Sequence, residues 1–241
     1  MIDLHSHLLP GIDDGPTNLE DALDLARYAV NNGITHSVLT PHIHLGRYNN
    51  NLSIIAKIFQ QFKQALIKNN IDLKIAFSAE VRLCVEIIEM INKEEIPFLG
   101  EYQGKKLLLL EMPHSHIPPG SSNLINWLNK RNILVVIAHP ERNKELHMNI
   151  QKAAELIKQG CLFQITSASV TGNFGSSCKL LSEKFLEYDW VHFIATDAHN
   201  LKHRPPDLKQ CRDVLSEKFG AEYTKKLFYD NPWEAVAIKF A

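Results

Sequence analysis

Seven apolar, β-branched-rich stretches recur along this chain, at roughly 1–5, 35–41, 73–80, 106–112, 133–139, 161–167 and 191–197, and each is followed by a segment of helical periodicity. Continuously hydrophobic runs of this length are what parallel strands buried on both faces look like, whereas half-exposed antiparallel strands alternate. The first intervening segment, Asn18 to Asn32, carries Leu19, Ala22, Leu23, Ala26 and Val30 at helical spacing, and Asn32-Gly33 supplies a stop. Ser53 to Lys68 repeats the design, and further helices are expected near 85–93, 121–131, 149–159, 177–187, 207–219 and 221–238, the last broken near Asn231-Pro232. Strand then helix, repeated seven times, closes most economically into a parallel barrel. The tail after Asp207 reads helical and offers no eighth strand, so the expectation is a distorted seven-stranded (β/α)7 barrel, α/β in class, formed by one domain over residues 1–241.

In such barrels the chemistry sits where the strands end, at the C-terminal mouth. Potential metal ligands stand at those ends. The first strand gives His5-x-His7, with Asp13-Asp14-Gly15 in the loop behind it. The second ends in His42, the third in Glu80, the fourth in Glu111, the fifth in His139-Pro-Glu141-Arg142, and the seventh in Asp197-x-His199. Residues i and i+2 of a strand share a face, so each x-separated pair can serve one ion together. Counting one of Asp13 and Asp14, nine imidazole and carboxylate groups converge. One zinc ion takes three or four, so two or three ions sharing a bridging carboxylate suit the set better.

Each residue has a blander reading. Glu111 alone could be a surface carboxylate, Asp13 and Asp14 look like turn residues before Gly15-Pro16, and Asp197 could cap a loop helix. Arg142 and Arg204 flank two ligand segments. Beside a cation cluster they suggest an anionic substrate, phosphate above all, although Arg142–Glu141 and Arg204–Asp207 ion pairs are the alternative. His36, His44, His114, His116, His147, His192 and His203 lack such duplication, and of these His44, His114 and His116 fall in the loops at 44–51 and 113–120 expected to overhang the mouth.

Composition excludes several classes. The formal net charge of −1 provides no cationic surface for nucleic acid. No apolar run approaches the ~20 residues of a membrane-spanning helix, and MIDLHSH lacks the pattern of a secretory leader, so a cytoplasmic location is expected. Cys84, Cys161, Cys178 and Cys211 form no C-x-x-C pair. The sixth residue after each is Met90, Ser167, Lys184 and Glu217, never the arginine that cysteine-based phosphatases place there.

The order of these ligands resembles that of the PHP (polymerase and histidinol phosphatase) superfamily. Within it, MIDLHSHLLPGIDDGP, SAEV, IAHPER and TDAHNLKHRPP resemble the bacterial manganese-dependent protein tyrosine phosphatases of capsule and exopolysaccharide operons. The resemblance spans nearly the whole chain. It implies three divalent ions, Mn²⁺ first and Fe²⁺, Co²⁺, Zn²⁺ or Mg²⁺ as alternatives. By motif position, His5, His7, Glu80 and Asp197 would hold the first; Glu80 would bridge to a second with Glu111 and His139; Asp14, His42 and His199 would hold the third. It also implies a phosphotyrosine protein as substrate, an autophosphorylating bacterial tyrosine kinase. The chemistry expected is in-line attack by a metal-bridging hydroxide, with Arg142 and Arg204 neutralising phosphoryl oxygens and Asp197, His199 or a metal-bound water protonating the leaving group. A histidinol-phosphatase-like phosphomonoesterase is the alternative enzyme, and a metal-stabilised kinase-docking module the alternative without catalysis.

Overall fold

The computed structural model describes residues 1–241 and contains ten strands: β1 (Ile2–Ser6), β2 (His36–Leu39), β3 (His42–Ile43), β4 (Lys74–Phe77), β5 (Glu80–Arg82), β6 (Gly100–Tyr102), β7 (Lys105–Glu111), β8 (Ile133–Ala138), β9 (Leu162–Thr166) and β10 (Val191–Ala195). Eleven α-helices accompany them: α1 (Leu19–Asn31), α2 (Leu52–Lys68), α3 (Ile87–Asn92), α4 (Ser121–Asn129), α5 (Lys144–Met148), α6 (Gln151–Lys158), α7 (Ser167–Thr171), α8 (Ser176–Glu187), α9 (Lys209–Phe219), α10 (Ala221–Lys225) and α11 (Asn231–Val236). The parallel barrel of seven strand positions is present. No helix is long and apolar enough to cross a membrane.

Two expected strands, 35–41 and 73–80, are each broken in two. β2 pairs with β4 below the break, β3 pairs with β5 above it, and only β5 continues onto β7. Pro41 lies in the first break and has no N–H for a ladder. In the second, Ser78 turns its hydroxyl to the carbonyl of Pro97 at 2.8 Å. Because β4 does not reach β7, the lower half of β7 pairs instead with β6, an antiparallel partner that the sequence reading did not foresee. Opposite, β1 and β10 meet only beyond the end of β10, through a Ser6–Ala198 bridge. Along this seam Asp3 replaces the missing ladder, accepting hydrogen bonds from the backbone N–H (3.0 Å) and hydroxyl (2.6 Å) of Thr196. Buried carboxylates resist ionisation, and burial lifts the Asp3 pKa to about 6.

Alternation along the strands sorts the core into two sets. Leu108, Leu110, Val135, Ile137, Phe163 and Ile165 face outward into a cluster of 48 buried residues shared with the helices. Leu107, Leu109, Leu134, Val136, Ala138, Leu162 and Phe193 face inward and fill the barrel. Ala235 and Val236 of α11 plug its lower end, so closely that a Cβ on Gly100 would lie 2.0 Å from the Ala235 carbonyl oxygen. The expected break before Pro232 takes the form of a π-helical turn, Lys226–Asp230, that leads into α11 with helical backbone throughout. Asn18 caps α1, its side chain accepting from Asp21 N–H, and Leu19, expected on the apolar face, lies outside the buried one.

Candidate metal centre

Above the apolar filling, the strand ends turn polar. β7 carries the inward alternation Leu107, Leu109 on to Glu111, and the strand breaks set His42 and Glu80 side by side in register. Two other residues reach the mouth through left-handed backbone: His139 at φ +35° and Asp197 at φ +52°. For a side chain other than glycine this costs on the order of 1 kcal/mol or more, tolerated where the surroundings fix it.

Four atoms form a tight group. His5 Nε2 and His7 Nε2 are 3.2 Å apart, and each lies 3.3 Å from Glu80 Oε2 and 3.3 Å from Asp197 Oδ1. An ion held tetrahedrally at ~2.0–2.1 Å spaces its ligands about 3.3–3.4 Å apart, so this spacing is that of a coordination shell. A second group is His7, Asp14, His42 and His199: Asp14 Oδ1 stands 3.3 Å from His42 Nε2 and 3.2 Å from His199 Nε2. A third is His42, Glu80 and Glu111, with His139 Nε2 2.7 Å from the other Glu80 oxygen. The nine side chains counted from the strand ends, with Asp14 the member of its pair, meet at the mouth, while Glu141 turns away.

Hydrogen bonds on the far sides of the imidazoles orient them. His5 Nδ1 donates to Gln164 Oε1 (2.7 Å), His7 Nδ1 to Asp13 Oδ2 (2.7 Å) and His199 Nδ1 to the Asp197 carbonyl (2.9 Å), so each turns its Nε2 inward. Asp13 and Asp14 therefore divide the work: Asp14 faces the centre, while Asp13 stands behind His7 and also accepts from the backbone N–H of His42 (3.1 Å) and of Gly15 (2.9 Å). Gly15 has no alternative here, since a Cβ would lie 2.2 Å from the His7 carbonyl oxygen.

The remaining polar partners do not balance the cluster. Glu80 Oε2, Asp197 Oδ1, His42 Nδ1 and His199 Nε2 are buried and lack a hydrogen-bond partner. Burial opposes the charge on Glu80, but His5 and His42 outweigh it and hold the carboxyl well below the usual range. Asp197 is held low against burial by Arg142 and Arg204. Glu111 is pushed up by burial and by the neighbouring Glu80. His139, buried and near Arg142, falls to about 3 and is neutral. Imidazoles and carboxylates in this number, converging on common points, fit divalent cations.

Arg142 and Arg204 both reach the mouth, yet neither makes the ion pair weighed from sequence. Both donate through Nη2 to Asp197 Oδ2. Glu141 instead accepts from Thr166 N–H and the Ser169 hydroxyl. The open cleft, about 200 Å³, is lined among others by His44, Tyr48, Arg82 and His114. His114 stacks on His139 with centroids 5.7 Å apart, and Tyr48 on His42 at 5.5 Å; His116 does not line the cleft. Arg82, which pairs with Glu111 at 2.9 Å, was not singled out from sequence, nor were Gln164, Tyr48 and Phe174. Gln164 did leave a signal, as a lone amide inside an apolar strand.

Fold and mouth define a class: a parallel α/β barrel with an imidazole–carboxylate centre at its strand ends, suited to binding metal. A family model for capsular polysaccharide synthesis, CpsB/CapC, matches residues 1–237, and the chain belongs to that family. The tyrosine-protein phosphatase YwqE of Bacillus subtilis (strain 168) is 36% identical over 222 residues, 92% of this chain and 86% of that one. The tyrosine-protein phosphatase CpsB of Streptococcus pneumoniae is 35% identical over 238 residues, 96% of each chain. A crystal structure from work on YwqE and CpsB, described there as unique metal-dependent tyrosine phosphatases, aligns with a TM-score of 0.87 at 35% identity over 93% of this chain and 90% of that one. At 9% identity the phosphotriesterase homology protein of Escherichia coli shares the fold alone, with a TM-score of 0.55 over 96% of each chain.

Proposed function

We propose that residues 1–241 form one catalytic unit, a metal-dependent protein tyrosine phosphatase that acts in the cytoplasm on an autophosphorylating tyrosine kinase of capsule or exopolysaccharide synthesis. The names of YwqE and CpsB support the substrate class. The observation that carries the metal reading is the set of buried, unpartnered donor atoms on Glu80, Asp197, His42 and His199. Three ions, with Mn²⁺ the first choice, would be held by His5, His7, Glu80 and Asp197; by Glu80, Glu111 and His139; and by Asp14, His42 and His199. When bound, such ions acidify water and offset negative charge on a phosphoryl group.

The chain's own residues do the rest. Arg142 and Arg204 present guanidinium edges to phosphoryl oxygens, where bidentate geometry favours tetrahedral anions. His139, neutral in this environment, keeps its lone pair for coordination. Asp13 and Gln164 hold His7 and His5 in the tautomer that coordination requires. A phenol, with a pKa of ~10, departs with little acid assistance, which suits a mouth where Asp197, one of the groups expected to protonate it, is held ionised by Arg142 and Arg204. Tyr48 and His114 at the rim offer aromatic surface to an aryl ester.

The test is phosphate release from a phosphotyrosine peptide and from histidinol phosphate by chelated protein before and after Mn²⁺ is restored. Turnover of the peptide should vanish on chelation and return with Mn²⁺. A clear preference for histidinol phosphate would replace the substrate, activity that survives chelation would remove the metal mechanism, and no turnover of either by the loaded protein would favour a docking module.

A further inference from the structure

The two arginines raise a physical difficulty. Both guanidiniums donate to the same oxygen of one carboxylate, so two like charges sit side by side, Arg142 largely buried and Arg204 partly so. Their Nε atoms are buried and have no hydrogen-bond partner. Apart from Asp197, the group that meets both is the ring of Phe174, 5.1 Å from Arg142 Cζ and 6.0 Å from Arg204 Cζ, within the reach of cation–π attraction. Phe174 belongs to neither apolar cluster of the core. It is only partly buried, on the short connection between α7 and α8.

That connection is built to hold the ring. Gly172 and Gly175 both take φ of +91°, a conformation glycine adopts freely, and the Gly175 N–H closes the turn on the Gly172 carbonyl at 2.9 Å. Phe174 N–H donates back to Ala168 in α7. α7 is in turn fastened to the arginine's own turn: Ser169 donates its hydroxyl to Glu141 at 2.7 Å, and Thr166 its backbone N–H at 2.9 Å. Glu141 is the residue before Arg142, so ring and guanidinium are mounted on one hydrogen-bonded unit.

We propose that Phe174 is a positioning residue whose ring face holds Arg142 and Arg204 together as a two-pronged clamp for the phosphoryl anion. The proposal rests on the phosphatase reading and assigns Phe174 no contact with reacting atoms. An aliphatic side chain of similar bulk would fill the same space without the negative ring face that attracts two cations.

The test uses Mn²⁺-loaded full-length protein, with inorganic phosphate as the probe in calorimetric titration and a phosphotyrosine peptide in steady-state assays. Phe174→Leu should weaken phosphate binding about tenfold, equivalent to ~1.4 kcal/mol. It should raise KM for the peptide by a similar factor while kcat changes by less than about threefold. Phe174→Tyr should stay within about twofold of the unsubstituted protein in both, and metal content and Tm should match across the set. A Phe174→Leu protein that binds phosphate normally, or a Phe174→Tyr protein that fails as badly as Phe174→Leu, would overturn the clamp and leave the phosphatase reading standing. If the unsubstituted, metal-loaded protein neither binds phosphate nor hydrolyses the peptide, it is the phosphatase reading that fails, and the clamp with it.

Discussion

Replacing Asp13 with Asn tests the division of labour between Asp13 and Asp14. The Asp13 carboxylate accepts three hydrogen bonds, from His7 Nδ1 at 2.7 Å, His42 N–H at 3.1 Å and Gly15 N–H at 2.9 Å. An amide offers one acceptor oxygen. Turned towards His7 and His42, that oxygen leaves the NH₂ facing the Gly15 N–H. Turned the other way, the NH₂ faces His7 and drives the imidazole proton onto Nε2, the atom that faces the centre. Either arrangement opposes donor to donor, at about 1–3 kcal/mol. Loss of a group that orients a ligand histidine typically costs 10- to 100-fold in metal affinity, ~1.4–2.7 kcal/mol. Asp13→Asn is expected near the upper end and Asp13→Ala nearer the lower. Mn²⁺ titration against a competing indicator would measure the affinities, with activity followed as Mn²⁺ is raised. Asp13→Asn should regain most of its activity at saturating Mn²⁺, because no ligand has been removed, whereas Asp14→Ala should not. Unchanged Mn²⁺ affinity in Asp13→Asn, or identical rescue of both variants, would refute the reasoning.

Two further outcomes follow from the same geometry. Although burial works against its charge, Glu80 lifts the His42 pKa to about 9 in the metal-free chain. A raised histidine pKa stabilises the fold below ~6.5 and loses that contribution as pH climbs through about 9. Metal must displace this proton, so apparent Mn²⁺ affinity should rise with pH up to about 9, by at most about tenfold per unit for each proton released. Calorimetry at pH 7.5 in buffers of different ionisation enthalpy should detect the release, and proton-independent binding would contradict it. Separately, Gly100→Ala should destabilise by about 1–3 kcal/mol through the clash with the Ala235 carbonyl, lowering Tm by roughly 3–10 °C. Its activity at 25 °C with saturating metal should be unaltered, and an unchanged Tm would show that the plug yields freely.

Much of the fold was legible because burial on both faces writes itself as hydrophobic runs: Leu107–Leu110 and Ile133–Ala138 announce β7 and β8 directly. The breaks at 40–41 and 78–79 were not, because Thr-Pro and Ser-Ala interrupt the ladder without interrupting the apolar pattern. β6 is three residues of Gly-Glu-Tyr with no periodicity of its own, present because β7 has an unpaired lower edge. At the site, position relative to strand ends was sufficient to gather the histidines and carboxylates. Asp13 and Asp14 are chemically identical neighbours, and only the turn around Gly15 separates their roles. Phe174 and Tyr48 escaped notice because a lone aromatic in a loop carries no spacing to other site residues. Arg142 and Arg204 were found, but which anion a guanidinium meets is decided by folding distance, and Asp197 is 55 residues from one and 7 from the other.

The two oxygens of Asp197 face opposite kinds of neighbour: Oδ1 the imidazoles of His5 and His7, Oδ2 the two guanidiniums. One carboxylate thus divides a single negative charge between two sets of claimants. Were the guanidiniums to turn towards an incoming phosphate, as the proposed clamp requires, they would leave more electron density on Oδ1 and make it a stronger donor to any ion there. Thermodynamic linkage then requires reciprocity: phosphate should tighten metal retention by the same factor by which metal tightens phosphate. Slower Mn²⁺ loss to a chelator in the presence of phosphate would reveal the linkage, and a loss rate indifferent to phosphate would exclude it. Asp197 would then make the centre self-protecting during turnover, holding its metals most firmly at the moment a substrate is bound.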